Sequence, residues 1–128
     1  MRRRAACAAG ACAIALAASC GGGSPAAPAP PGANPFRVTI SSAGVVTPVE
    51  LVVPPGSRVL FVNEHSRPHE MTSDDHPDHL ECPAINSVGL LNPGQSRETG
   101  NLVAIRTCGF HDHINPGDSR LTGRIVIR

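Results

Sequence analysis

Histidine and cysteine are concentrated in two short stretches of this chain. All six histidines lie in these stretches, and each stretch also holds one cysteine of the C-terminal part. The first stretch carries His65, His69, His76, His79 and Cys82, and the second carries Cys108, His111 and His113. Imidazole and thiolate are the protein ligands that hold copper and zinc. The sequence therefore predicts one metal site built from two segments that are distant in the chain.

The position of each stretch suggests how the two could meet. Residues 63–71 follow a predicted strand at 58–62, and residues 107–113 follow one at 102–106. If both strands end at the same end of a β-sandwich, His69 faces Cys108 and His111. Two nitrogens and one sulfur are the trigonal ligands of a blue-copper centre, which adds a weak fourth ligand. We therefore expect one copper ion on these residues, with His113 as a further ligand that modifies the site.

A second ligand set competes with the first. His111 and His113 are two residues apart, so on an extended segment both rings point to the same side. Together with His69 they would form a three-imidazole site for Cu(II) or Zn(II). Cys108 could then pair with Cys82, and a disulfide closing this 26-residue separation would add about 3 kcal/mol of stability. Both the thiolate and the disulfide remain open at this point.

The remaining polar residues of the two stretches allow functional and structural interpretations. His76, His79 and Cys82 are three residues apart and lie among acidic residues. They could form a second metal-capturing loop or a lid over the first site, or simply a solvated acidic loop. Asp112 could orient a liganding imidazole or be an exposed carboxylate. His65 is expected to be a turn residue.

The N-terminus has the pattern of an export signal. Arg2, Arg3 and Arg4 precede an apolar run over residues 5–18 that is too short for a permanent membrane span. The run ends in Leu-Ala-Ala-Ser-Cys20, which resembles the lipobox of bacterial lipoproteins, although Leu16 lies one place further from the cysteine than usual. We predict a signal peptide at 1–19, lipidation at Cys20 and a tether at 20–35. The protein would then be exported and lipid-anchored in the cell envelope.

Composition narrows the class of the remaining chain. Cys7 and Cys12 leave with the signal peptide and Cys20 is acylated, so two cysteines, Cys82 and Cys108, enter the exported domain. Of the eleven basic residues, all arginine, the loss of three leaves eight against ten acidic ones, a formal charge of −2. There is no basic stripe and no aromatic platform, so we expect no nucleic-acid partner.

Residues 36–128 have the pattern of one small all-β domain. Short β-branched or alternating runs at 36–40, 49–53, 58–62, 102–107 and 124–127 predict strands. Pro-Gly and Asn-Pro-Gly turns separate them. We expect an antiparallel β-sandwich with a core of Val, Ile and Leu, because Trp and Tyr are absent and only three Phe are present.

Several motifs of this domain resemble the cupredoxin family over most of residues 36–128. They are a strand ending in Asn63 with His69 after it, the turn Pro93-Gly94, the Cys-x-x-His motif at Cys108 and His111, and a last strand opening at Gly123. The resemblance implies a Greek-key β-sandwich and one-electron transfer through a mononuclear copper, with a redox partner that the sequence does not name. It also implies an electron carrier rather than an enzyme, and we expect a monomer.

The chain departs from the family in the position of the axial ligand. No methionine follows Cys108, so a weak ligand would have to come from His113, from Met71 or from a backbone carbonyl. The alternative function is a periplasmic module that captures or buffers copper through a three-histidine site, with Cys82 and Cys108 joined. A copper redox enzyme is the third and weakest hypothesis.

Overall fold

A computed structural model describes residues 34–128 of the chain. The predicted signal peptide at 1–19, the predicted lipidation site Cys20 and the predicted tether as far as residue 33 lie outside the described residues. Within residues 34–128, no helix is long and apolar enough to cross a bilayer.

The described chain forms two β-sheets that pack face to face. One sheet has the order β2-β1-β4-β7 and the other has the order β3-β9-β8-β5-β6. Successive strands cross repeatedly between the two sheets, which is the predicted Greek-key β-sandwich. The strands are Arg37–Ile40 (β1), Val46–Thr47 (β2), Glu50–Val53 (β3), Leu60–Asn63 (β4), His69–Ser73 (β5), Gly89–Leu91 (β6), Ser96–Glu98 (β7), Arg106–Asp112 (β8) and Thr122–Ile127 (β9), with 3₁₀ turns at Pro83–Ser87 and Ser119–Leu121.

The sheets are mixed, which corrects the expectation of purely antiparallel pairing. Strand β1 runs parallel to β4, and β3 runs parallel to β9, while β5, β8 and β9 pair antiparallel. Parallel neighbours need a connection that returns to the same end. Here the chain supplies it by crossing to the other sheet between the paired strands.

The core lies between the two sheets and is mainly aliphatic. Its centre is the edge-to-face contact of Phe61 on β4 with Phe110 on β8, whose ring centroids are 5.1 Å apart. Valine, isoleucine and leucine side chains surround this pair, and the disulfide of Cys82 with Cys108 belongs to the same cluster. Edge-to-face geometry is a favoured arrangement for aromatic pairs.

Two strands that matter for the site have boundaries different from those predicted. Residues 102–105 precede β8, and Val103 and Ile105 are 68% and 74% exposed. Leu102 alone is buried there, in an isolated bridge to Ser57. Strand β8 therefore begins later and continues through Asp112. His69, expected in a loop, is the first residue of β5.

Candidate metal centre

Four histidines of the described chain converge in one cluster. Each offers one ring nitrogen, and the four nitrogens lie within 4.8 Å of one another. A copper–nitrogen or zinc–nitrogen bond is about 2.0 Å, so atoms bound to one ion are at most about 4 Å apart. Four such atoms around a tetrahedral ion lie about 3.3 Å apart, so the most distant rings need to close by about 1.5 Å to share an ion. The members are His76, His79, His111 and His113, which we call the four-histidine cluster.

Strand β8 positions two members of the cluster. Side chains alternate along a strand, so Cys108, Phe110 and Asp112 point into the core. His111 therefore points to the outer face of the five-stranded sheet, opposite Thr72 of β5. His113 follows on the same side, and its backbone N–H extends the ladder by donating to the Glu70 carbonyl at 2.7 Å. The predicted same-side placement of His111 and His113 agrees with this geometry.

The loop between β5 and Cys82 brings the other two members over this outer face. Its base is closed by the Glu81 N–H, which donates to the Asp74 carbonyl at 2.8 Å. The Gly109 N–H on β8 donates to the Glu81 carboxylate at 2.7 Å. At its tip His79 has a φ of 54°, in the left-handed region that non-glycine residues seldom adopt. Such conformations persist where surrounding contacts impose them, and they concentrate at functional sites.

His111 is the most constrained ring of the cluster. It is 4% exposed, and its Nδ1 donates to the Asp74 carboxylate at 2.6 Å. Its other nitrogen, Nε2, is buried and has no hydrogen-bond partner, and the neighbouring Thr72 hydroxyl also has none. A buried polar atom without a partner costs roughly 1–3 kcal/mol, so such atoms are rare and need an explanation. A metal ion bonded to Nε2 would provide one, and carboxylate–imidazole–metal chains are the usual arrangement.

His79 and His113 are oriented by similar contacts. The Nδ1 of His79 donates to the Ser73 carbonyl at 2.7 Å, which leaves Nε2 for the cluster. That Nε2 lies 2.9 Å from Nδ1 of His113, so the two rings share a hydrogen bond. Two rings thus present nitrogens toward one point.

His76 completes the cluster from the solvent side. Its ring is exposed and lies 5.2 Å from the ring of His113, centroid to centroid. Partial desolvation, followed by the charges of the other three rings, holds the pKa of His76 below its usual value. A lowered pKa favours the neutral imidazole, which is the form that binds metals.

His69 does not join the cluster, and this corrects the predicted ligand set. It starts β5 with its side chain on the core side, together with Met71, and it is 2% exposed. Its Nδ1 donates to the buried Asp112 carboxylate at 2.9 Å, and its Nε2 lies 2.8 Å from Nδ1 of His65. Asp112 therefore orients a histidine as hypothesised, but that histidine is outside the cluster. Met71 is fully buried in the core.

Cys108 is also removed from the predicted set. Its sulfur is bonded to that of Cys82, with the two Cα atoms 5.8 Å apart. Neither sulfur is then a thiolate, so the trigonal site of His69, Cys108 and His111 is not assembled. Of the two alternatives left open by the sequence, the structure contains the disulfide.

Sequence reasoning named His76 and His79 but did not place them with His111 and His113. The signal that could have found the cluster is the pair of histidine spacings, three residues in the loop and two in the strand. The predicted strand ends at residue 106, so the prediction does not use the alternation of side chains along residues 107–112. A strand continued through residue 112 puts Cys108 and His111 on opposite faces, since they are an odd number of residues apart.

Comparison with solved structures identifies the architecture. A purple cupredoxin from Nitrosopumilus maritimus is 20% identical, with a TM-score of 0.56 over 73% of this chain and 99% of that one. The oxidized plastocyanin of Dryopteris crassirhizoma is 15% identical, with a TM-score of 0.56 over 72% of this chain and 99% of that one. The chain has the cupredoxin fold. No family model and no curated protein matches this chain.

A larger protein shares the same fold in part. The Cu-containing nitrite reductase of Thermus scotoductus is 20% identical, with a TM-score of 0.57 over 73% of this chain. The match covers only 22% of the reductase chain. At these identities the likeness concerns the fold of the cupredoxin domain.

Proposed function

We propose that this cupredoxin domain captures one copper ion at the four-histidine cluster. The observation that carries the proposal is the buried Nε2 of His111, which has no partner while Asp74 fixes the other side of the ring. Imidazole ligands suit Cu(II) and Zn(II), and at a given nitrogen site copper binds more tightly than zinc. When bound, copper would supply a Lewis-acidic centre that the four rings hold in place.

Acidic side chains around the cluster support cation capture. Asp74 and Glu81 form the base of the loop, and Asp75 and Asp78 are exposed beside His76. A cluster of negatively charged side chains raises the local concentration of cations and speeds their association. The loop therefore both supplies ligands and attracts the ion.

A copper titration tests this proposal. Cys7, Cys12 and Cys20 are replaced by serine in every protein, so that their thiols do not compete. We expect one tight equivalent of Cu(II) in the parent. His111→Ala should weaken binding by more than the 10–100-fold typical of losing an outer-shell partner. His65→Ala, which removes a histidine outside the cluster, should bind as the parent does. Equal affinities in the two variants would contradict the proposal.

One-electron transfer is the second candidate. Its support is the fold, since structures of a fern plastocyanin are described in oxidized and reduced forms and one amicyanin structure in the Cu(I) state. A copper held by four imidazoles would lack the sulfur ligand of a blue centre. Voltammetry of the copper-loaded protein tests this role. Absence of a reversible Cu(II)/Cu(I) couple would exclude electron transfer to any redox partner.

We further propose that the domain works in the cell envelope, attached through a lipid on Cys20. The apolar run and the cysteine at its end support this location. Expression in a bacterium with radiolabelled palmitate should label the protein with its natural Cys20 but not the Cys20→Ser variant. Equal labelling of both proteins would exclude the anchor.

A further inference from the structure

We propose that His76 is an exchangeable ligand, and that a small nitrogen donor from solvent binds the metal in its place. This inference rests on the proposed function. It assigns the cluster a second property, an entry position for an external ligand.

The four rings are held very unequally. His111 is buried with Asp74 on its Nδ1, and His79 is half-buried with the Ser73 carbonyl on its Nδ1. His113 is half-buried and belongs to a backbone ladder through its N–H. His76 is exposed, and in residues 34–128 its ring has aromatic neighbours but no recorded hydrogen bond.

The backbone around His76 is also held by few hydrogen bonds. The hydrogen bonds that fix the loop are made by Asp74, Glu81 and the backbone of His79. Residues 75–78 form the exposed tip, where one carbonyl, that of Asp75, accepts from the His79 N–H at 2.7 Å. Moving the ring of His76 away from the cluster therefore breaks few contacts.

Removal of His76 leaves a recognisable kind of site. Three histidines with one open position are the arrangement of metal centres that bind water or substrate, whereas four protein ligands make a closed site. The position that opens faces solvent, because His76 itself does. An incoming imidazole or azide can reach it without crossing the core.

The experiment uses the full chain with Cys7, Cys12 and Cys20 replaced by serine, loaded with one equivalent of Cu(II). Copper affinity and the Cu(II) paramagnetic spectrum are measured for the parent, His76→Ala and His79→Ala, and each is titrated with azide and with imidazole. His76→Ala should lose less copper affinity than His79→Ala, because a ligand from solvent can take the place of His76 in a site that keeps three protein ligands. Circular dichroism confirms that each variant is folded.

The ligand titrations give the second readout. Azide should perturb the spectrum of His76→Ala at a concentration about tenfold lower than it does for the parent, because no side chain has to leave. Equal losses of copper affinity in His76→Ala and His79→Ala would overturn the inference while leaving the capture function intact. Identical azide responses in parent and His76→Ala would also overturn it. Failure of the parent to bind copper would overturn both proposals.

Discussion

The hydrogen bond of His111 to Asp74 depends on a residue that has no side chain. A Cβ added at Gly109 would overlap the carboxylate and Cβ of Asp74, which lies directly over this part of β8. Glycine at this position is therefore what lets the carboxylate reach Nδ1 of His111. The hydrogen bond of the Gly109 N–H to Glu81 fixes the same place from the other side.

Gly109→Ala should accordingly weaken copper binding without touching a ligand. Displacing Asp74 leaves His111 unoriented, and loss of such an outer-shell partner costs about 10–100-fold in metal affinity. Competition titration against a chelator measures the change. The matched control is Gly117→Ala, where an added Cβ meets nothing within 4 Å. A Gly109→Ala protein with parental affinity would show that Asp74 does not act on the metal.

At the residue scale, the sequence predicts correctly which side some of the histidines share, but not which histidines lie together. The spacing of His111 and His113 correctly places them on one side, because that inference needs only an extended backbone. The placement of His69 beside His111 was wrong. The sequence analysis puts His69 in a loop, whereas it starts β5 with its side chain on the core side. The face that each side chain of β5 occupies depends on the register of β5 with β8, which one sequence does not specify.

At the scale of elements, the disulfide fastens the histidine loop to the strand beneath it. Cys82 ends the loop, Cys108 lies in β8, and both are buried in the core cluster. The Cys82 N–H also donates to the Ser73 hydroxyl at 2.7 Å, so the two ends of the loop are joined as well. The loop that carries His76 and His79 is thus closed covalently and by hydrogen bonds.

Removing this bond should destabilise the domain by about 3 kcal/mol, the chain-entropy value for its separation of 26 residues. Urea unfolding of the oxidised and the reduced protein measures the difference. Cys82→Ala/Cys108→Ala is the control, and its unfolding curve should not respond to reductant. Coincident curves for the oxidised and reduced parent would contradict the assignment of a stabilising role to the disulfide.

The elements themselves were predicted unevenly. The alternating run at the start of the domain and the last run of the chain correspond to β1 and β9, since their apolar residues face the core. Strand β5 is not predicted, because the sequence of His69–Ser73 is mostly polar although four of its five residues are buried. The apolar residues Val103 and Ile105 led to the prediction of a strand from residue 102. Both side chains are exposed, and the strand begins only at Arg106.

At the scale of the whole molecule, metal binding is expected to stabilise the fold. The four-histidine cluster joins β8 to a loop, so its ligands come together only in the folded protein. A copper ion should therefore bind the folded state more tightly than the unfolded chain. At a free copper concentration one hundred times the Kd, the gain is about 2.7 kcal/mol. Thermal melting with and without Cu(II) should show a higher Tm in the parent and no shift in His111→Ala. A shift of equal size in both proteins would mean that copper binds elsewhere.

The cluster stands on the outer side of the five-stranded sheet, away from the interface between the layers. A lineage could therefore gain, trade or discard these imidazoles without opening a hole in the interior. Chemistry and architecture can drift apart in such a molecule, and a descendant stripped of all four rings would still fold as the same sandwich.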